Sequence, residues 1–231
     1  MPRGRRIIFP GVPHHVTQRG NRREQVFFCD ADRTAYLTWL QQYTRDHGVA
    51  ILAYCLMPNH VHLVALPSEV DALHRALRPL HTRYAQRVNR AFRWKGHVWQ
   101  GRFFASALDE AHLWAAIRYV ERNPVRARLV ESAENYPWSS ASSHCGRWSD
   151  PLLSADSGWH RQVDAIVDWS RWLSNGDDSL VVETLRQHAE RGLPCGSDTF
   201  IDGLEARSGR SLRSRPRGRP GKNQPAYRAG A

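Results

Sequence analysis

Two histidines separated by a single residue are the first feature of this chain that could carry out chemistry. His60 and His62 lie on either side of Val61, in an apolar run that predicts a β-strand. Because alternate side chains of a strand point to one face, both imidazoles would converge while Val61 enters the core. Two converging imidazoles supply half of a divalent-metal site. Two ordinary strand histidines are the alternative interpretation, since a His-x-His pair often arises by chance.

A tyrosine and an asparagine four residues apart form the second candidate pair. Tyr119 and Asn123 fall on one face of a predicted helix that begins at Asp109 and must end before Pro124. The phenol could act as a nucleophile on this face, and the amide as a third metal ligand. A half-buried tyrosine and a helix-capping asparagine would explain the same two residues.

Other histidine-based sites can be tested against the sequence. A histidine-triad nucleotide hydrolase would need a third alternating histidine, but that position is Val64. A two-histidine phosphodiesterase would need two separate His-x-Thr or His-x-Ser elements, and no such pair occurs. An HNH nuclease would need a further histidine on a following helix, an alternative that His74 and His81 leave open.

The charge of the chain indicates a polyanionic partner, with a solvated basic surface as the alternative. The formal net charge is +11, and all but two of the 33 basic residues are arginines, whose planar forks suit phosphate and guanine edges. Arg217 and Arg219 lie in a Pro-Arg-Gly-Arg-Pro segment that resembles an AT-hook core, although a nonspecific phosphate-binding tail is the alternative. Trp99 and Arg102 could stack on bases and contact phosphates, with core packing as the alternative for the tryptophan.

Two further patterns indicate where the protein works. The four cysteines lie far apart and form no Cys-x-x-Cys pair, which argues against a zinc ribbon or a disulfide framework and favours the reducing cytoplasm. No run approaches 18 apolar residues, so we expect no membrane span, and the basic N-terminus lacks the apolar run of a signal peptide.

The hydrophobic pattern predicts an α+β fold, in which antiparallel strands and helices on one side form a ferredoxin-like sandwich. We expect a catalytic domain over residues 1–145, a helical region over 146–207 and a flexible basic tail over 208–231. The predicted strands cover residues 12–19, 49–56, 60–65 and 98–108. The predicted helices cover residues 34–45, 69–91, 109–123, 160–173, 178–191 and 197–207.

Five strings of residues follow one another in an order that is more specific than any single motif. They are His14–Asn21, Ala53–Val64, Trp99–Phe103, Tyr119–Ala127 and Tyr136–Ser140. In these strings, which cover roughly residues 7–141, the chain resembles the REP-associated tyrosine transposases, single-tyrosine members of the HUH endonuclease superfamily.

The resemblance implies roles for the candidate residues. His60 and His62 would bind Mg²⁺ or Mn²⁺ with Asn123 as third ligand, and Tyr119 would attack DNA to leave a 5′-phosphotyrosine and a free 3′-OH. The substrate would be single-stranded DNA carrying REP-type hairpins, bound by a nucleoid-associated bacterial protein that we expect to be a monomer, with a dimer as the alternative. The residues expected to bind this DNA are His14, Arg19, Arg22, Trp99, Arg102, Arg126, Arg217 and Arg219.

Three points stay open at the level of sequence. The proton acceptor for the tyrosine could be His97, Glu121 or a water. A DNA-hairpin binder that does not cut, or an RNA-binding protein, would use much of the same surface. The tail departs from the family's arm, since Gly221 rather than a basic residue follows Pro220.

Overall fold

The centre of the molecule is a four-stranded antiparallel sheet, seen in a computed structural model that describes residues 6–153 and 166–213. Its strands are β1 (His14–Arg19), β2 (Val49–Met57), β3 (His60–Pro67) and β4 (Phe104–Ala107). In space they follow the order β2-β3-β1-β4, with one α-helix between β1 and β2 and another between β3 and β4. This is the ferredoxin-like arrangement, so the predicted α+β class is confirmed.

Helices occupy most of the connections and the C-terminal part of the described chain. They are α1 (Asp30–Asp46), α2 (Ala72–Phe92), α3 (Glu110–Glu121), α4 (Asn123–Arg126), α5 (Ala141–His144), α6 (Trp169–Ser174), α7 (Ser179–Arg191) and α8 (Asp198–Ser208). The helices predicted over 178–191 and 197–207 correspond to α7 and α8. The helix predicted over 160–173 is present only from Trp169 onward among its described residues. None of the helices described is long and apolar enough to cross a membrane.

Helices α1 and α2 cover one face of the sheet. The side chains of Ile51 and Tyr54 on β2, and of Val61 and Leu63 on β3, pack there in a single apolar cluster. On the helix side, the cluster contains Leu40, Leu73, Leu77 and Leu80. This face holds the larger core, and it contains Val61 as the strand periodicity predicts.

Helix α3 packs against the opposite face, which corrects the prediction that all helices lie on one side. Leu113 and Ile117 of α3 share a second apolar cluster with Ala53, Cys55 and Val64 of the sheet. The physical reason is that β2 is apolar along both faces, and a sheet of that kind must be covered twice. The prediction holds for α1 and α2 alone.

The C-terminal helices are attached to α3 through a buried carboxylate. Glu121 is fully buried and accepts hydrogen bonds from the hydroxyl of Ser140 at 2.5 Å, the imidazole of His144 at 2.6 Å and the indole of Trp169 at 2.8 Å. Three donors compensate the cost of burying a carboxylate. Leu185 of α7 enters the same apolar cluster as α3. The domain boundaries at residues 145 and 207 stay predictions.

Candidate active site

Strand β3 presents its two histidines on the face that α3 covers. His62 pairs with Cys55 of β2 on one side and with Thr17 of β1 on the other, near the middle of the sheet. His60 lies two residues earlier, half-buried at the end of the strand, and the two ring centroids are 4.8 Å apart. Both imidazoles therefore share one face, as the sequence predicts.

The hydrogen bonds of these histidines leave one nitrogen of each ring for another partner. Nδ1 of His60 donates to the amide oxygen of Asn59 at 2.5 Å, which fixes the tautomer with a lone pair on Nε2. Nδ1 of His62 lies 2.9 Å from Nε2 of His15. If the proton lies on the His62 side of this bond, Nε2 of His62 also carries a lone pair.

Both rings are neutral at neutral pH, because burial opposes their charged form. Burial, assisted by the charge of Arg19, lowers the pKa of His60 to about 4. The pKa of His62 is lowered well below its usual value, first by burial and then by the neighbouring His60 and His15. A neutral imidazole is the form that binds a metal, so the donor set fits a divalent cation.

Tyr119 of α3 lies against the same histidines. Its ring centroid is 5.5 Å from that of His62 and 5.7 Å from that of His15, in edge-to-face contacts, and its side chain is 5% exposed. The guanidinium of Arg126 lies over the ring at 4.2 Å. A second guanidinium, that of Arg186 on α7, lies with its central carbon 5.8 Å from the ring centroid, and its interaction with the phenol raises the pKa of Arg186. Two cations therefore accompany the one tyrosine.

The three histidines, Tyr119 and Arg186 border one cavity of about 330 Å³, whose lining does not include Arg126. The cavity brings together imidazoles, a phenol and guanidiniums, which suits attack on a phosphate group. Glu190 of α7 is the one carboxylate among the described residues that line it. The lining side chains used below are those of His15, Arg19, Arg23, His60, His62, Gln100, Tyr119 and Arg186.

Asn123, the predicted third metal ligand, is not among the residues that line this cavity. It is buried at the start of α4, and its amide nitrogen donates to the carbonyl of Tyr119 at 3.2 Å. This contact belongs to the helix end that Pro124 imposes, which is the capping role weighed from the sequence. Within the described residues, no group of three His, Cys, Asp or Glu side chains could hold a metal.

Two residues predicted to contact DNA lie in the interior instead. His14 is completely buried; Nδ1 of its ring bonds the carbonyl of Val12 at 2.8 Å, and its Nε2 accepts from the backbone of Phe9. Trp99 is also buried, and its indole donates to the carbonyl of His81 at 2.9 Å. Neither ring is exposed to a base in this structure, so the burial favours packing roles, and DNA contact by His14 and Trp99 stays a prediction.

The predicted DNA-binding arginines fall in different places. Arg19 lines the cavity, and Arg22 is exposed in a turn where its φ of 52° is left-handed. Arg102 is exposed near a second cavity. Arg126 is held under Tyr119 by an ion pair with Asp177 at 2.8 Å and by a hydrogen bond to the Tyr119 carbonyl, so its role is to pack the nucleophile candidate. Arg217 and Arg219 lie outside the described residues.

The structure also separates the two side chains considered as proton acceptors from the cavity. Glu121 is occupied by its three buried donors and does not line the cavity, which excludes it as a base in this arrangement. His97 is exposed and lines the second cavity. Neither residue faces Tyr119.

Sequence reasoning missed two residues of the site. The first is His15, because the prediction named its neighbour His14 instead. Val16 enters the α1–α2 core, so strand alternation turns His15 towards His62 and leaves His14 facing the other way. Arg186 carried no usable signal, because one arginine on an amphipathic helix resembles any solvated residue. Only the packing of α7 on α3 brings it to Tyr119.

Comparisons with known proteins match the part of the chain that carries the three histidines and Tyr119. Residues 10–123 match the family described as IS200-like transposases. A Haemophilus influenzae protein assigned as a REP-associated tyrosine transposase is 27% identical over 156 residues, which are 63% of this chain and 76% of that protein. The fold is similar to the solved structure of a REP-associated tyrosine transposase bound to a REP hairpin, with a TM-score of 0.53 and 23% identity over 68% of this chain and 93% of that chain.

Proposed function

Because residues 10–123 of this chain match the IS200-like transposase family, we propose that it is a metal-dependent endonuclease and strand transferase for single-stranded DNA. Tyr119 is the proposed nucleophile. The observation that carries the proposal is its contact with the His15–His62 pair in a cavity that His60 and three arginines also line. A protein that only bound DNA would have no use for a phenol and neutral imidazoles meeting in this way.

The proposed reaction is an in-line transfer of the phosphoryl group to tyrosine. The phenolic oxygen of Tyr119 attacks phosphorus, the bond from phosphorus to O3′ breaks, and a 5′-phosphotyrosine forms. The proton that leaves the phenol is balanced by the proton taken up at the released 3′-OH. A free tyrosine has a pKa of about 10 and is a weak nucleophile, so its surroundings must assist it.

Arg186 provides that assistance in the proposal. Its guanidinium lies 5.8 Å from the centroid of the Tyr119 ring, so it brings positive charge near the phenolic oxygen and the phosphate, where negative charge develops during attack. Arg126 lies over the ring at 4.2 Å, and its ion pair with Asp177 fixes it there. Two guanidiniums therefore lie near the nucleophile before any DNA arrives.

His60 and His62 are the proposed metal ligands, through their Nε2 atoms. Bound Mg²⁺ or Mn²⁺ would draw charge from the scissile phosphate and orient it for in-line attack. Nε2 of His15 would accept a hydrogen bond from Nδ1–H of His62 and so hold that imidazole in the ligating tautomer. Two imidazoles need further ligands, and Asn123 and phosphate oxygens of the DNA are the candidates.

The proposed substrate is a REP-type hairpin with adjoining single-stranded DNA, by analogy with the Haemophilus influenzae relative and with the hairpin-bound neighbour. The basic surface fits a nucleic acid, since Arg19 and Arg23 border the cavity and Arg22 is exposed beside them. We also propose a monomer, because α3 of the same chain brings Tyr119 to His62.

The experiment is incubation with a labelled REP-type hairpin and Mn²⁺, read on a denaturing gel. We expect a covalent protein–DNA band that EDTA prevents and that Tyr119→Phe lacks, although that variant still binds the hairpin. Binding without a band in the wild-type protein would favour a hairpin binder that does not cut. Equal or better cleavage of RNA of the same sequence would favour an RNA enzyme.

Mixing two inactive variants tests the monomer. Tyr119→Phe and His62→Ala each lack one half of the site, and a site built within one chain cannot be restored by mixing them. Recovery of the covalent band in the mixture would show that the tyrosine is exchanged between subunits.

A further inference from the structure

A second and larger cavity, of about 740 Å³, lies beside α2, outside the proposed catalytic cavity. One wall is formed by α2 and the other by the segment 96–103, which runs alongside β1 through a hydrogen bond from the backbone of Gln100 to that of Arg19 at 2.9 Å. We call this cavity the α2 groove. It has no part in the chemistry proposed above.

The α2 wall of the groove is a single polar row. The residues recur every three or four positions, so they lie on one face of the helix over four turns. At 1.5 Å per residue this row is ~22 Å long, which exceeds the span of a single nucleotide. The row consists of His74, Arg78, Thr82, Gln86 and Asn89.

The lining of the groove is basic. Arg75 and Arg87 of the same helix form ion pairs with Asp71 and Asp32. Arg78 forms no ion pair within the described part of the chain, and none of the described residues lining the groove is acidic. Arg6 and Arg102 add two further guanidiniums to the walls. Such a surface attracts phosphates.

The remaining lining residues suit bases as well as phosphates. Gln86, Asn89 and Asn21 carry amides, which can donate to and accept from the edges of unpaired bases. The amide nitrogen of Asn89 already donates one hydrogen to the carbonyl of Gly96 at 3.0 Å, which leaves its oxygen and second hydrogen for a base. The floor is rigid, because Trp99 is buried there and its indole is bonded to His81. A phosphate-binding patch alone would have no need of this row of amides.

Gln100 connects the groove to the proposed active site. It is exposed and lines both cavities, so a strand that lies in the α2 groove can continue past Gln100 to Tyr119.

We propose that the α2 groove binds the single-stranded DNA adjoining the hairpin, with Arg78 and Arg102 on its phosphates and the amides of Gln86 and Asn89 on its bases. The proposal rests on the proposed function for the identity of the DNA. It extends that function by assigning a site that selects the strand delivered to Tyr119.

The test compares binding of three DNAs in EDTA, in a Tyr119→Phe background, by fluorescence anisotropy. They are a REP-type hairpin with blunt ends, the same hairpin with a single-stranded extension, and the same hairpin with a duplex extension. We expect Arg78→Ala to weaken binding of the single-stranded extension roughly tenfold and to reduce the salt slope by about 1, with little change for the other two DNAs. Gln86→Ala should weaken the same DNA without changing the salt slope.

The control is Arg90→Ala, which removes the same charge from an exposed position of α2 outside the groove. Equal weakening by Arg90→Ala, or equal weakening of blunt and extended hairpins by Arg78→Ala, would overturn the proposal. Because the readout is binding without metal or nucleophile, it is independent of whether the wild-type protein forms the covalent band.

Discussion

Two clusters of histidine and tyrosine lie on opposite faces of the same sheet, and only one of them borders the proposed catalytic cavity. On the α1–α2 face, Tyr36 shares a hydrogen bond of 3.0 Å with Nε2 of His81. On the α3 face, Tyr119 lies against His62. In both clusters the tyrosine and the histidine are buried, and burial is the first cause that lowers the pKa of the histidine, to about 3 for His81.

The difference lies in what the phenolic oxygen meets. The hydroxyl of Tyr36 is held by an imidazole, its ring packs against Tyr84 and Trp99, and it lines neither cavity. The phenol of Tyr119 meets a guanidinium and borders an open cavity. Residue type and burial alone therefore do not identify a nucleophile. The partner of the oxygen and access for a substrate do.

The largest expected effect is that of removing the two phenols in turn. Tyr119→Phe should abolish the covalent band with no large change in the free energy of unfolding. Tyr36→Phe should retain the band and cost about 1–3 kcal/mol of stability, because it leaves a buried imidazole nitrogen without its partner. A denaturing gel and a urea titration measure the two quantities. A band that survives in Tyr119→Phe would reverse the assignment of the two clusters.

Substitution of the histidines should also affect cleavage on the α3 face and stability on the α1–α2 face. His60→Ala and His62→Ala should reduce Mn²⁺-dependent cleavage by more than ~100-fold, since each removes a proposed ligand rather than an outer partner. His81→Ala should lower stability while cleavage by the folded fraction persists. His15→Ala is intermediate, with a ~10–100-fold rise in the Mn²⁺ concentration needed for half-maximal activity. Cleavage that is indifferent to EDTA would contradict the metal site as a whole.

Arg186 tests the cation that distinguishes the two tyrosines. Arg186→Ala should slow formation of the covalent band by ~100-fold, the size of effect seen when one donor to a developing charge is lost. Added guanidinium should restore part of the rate, and Arg186→Lys should fall between the two. Arg191→Ala, on the same helix but outside the cavity lining, is the charge-matched control. If added guanidinium does not restore the rate of Arg186→Ala, Arg186 has only a packing role.

The sequence was sufficient for the sheet and for the shared face of His60 and His62, because strand alternation depends on local order alone. The same rule, applied with Val16 as a core residue, predicts that His15 rather than His14 points towards the site. Helices on both faces were also within reach, since β2 is apolar at almost every position. These errors came from applying a local rule incompletely.

Other features of the site could not be predicted from local sequence patterns. Trp99 beside Arg102 gives the same signal whether the indole stacks on bases or donates to His81 in the core. Arg186 reaches Tyr119 only because the buried Glu121 network and the apolar side of α7 attach the C-terminal helices to α3. Contacts between distant segments of this kind depend on the packing of whole helices.

The smallest expected effect concerns Asn123, where the resemblance and the geometry disagree. If its amide serves only the Tyr119 carbonyl, Asn123→Ala removes one helix-end hydrogen bond, costs ~1 kcal/mol of stability and leaves the Mn²⁺ concentration for half-maximal cleavage unchanged. If the side chain turns to the metal when DNA binds, that concentration should rise as it does for a lost ligand. Because half-saturation by metal and stability are measured separately, this variant decides whether the two histidines act with Asn123 or with oxygens of the DNA alone.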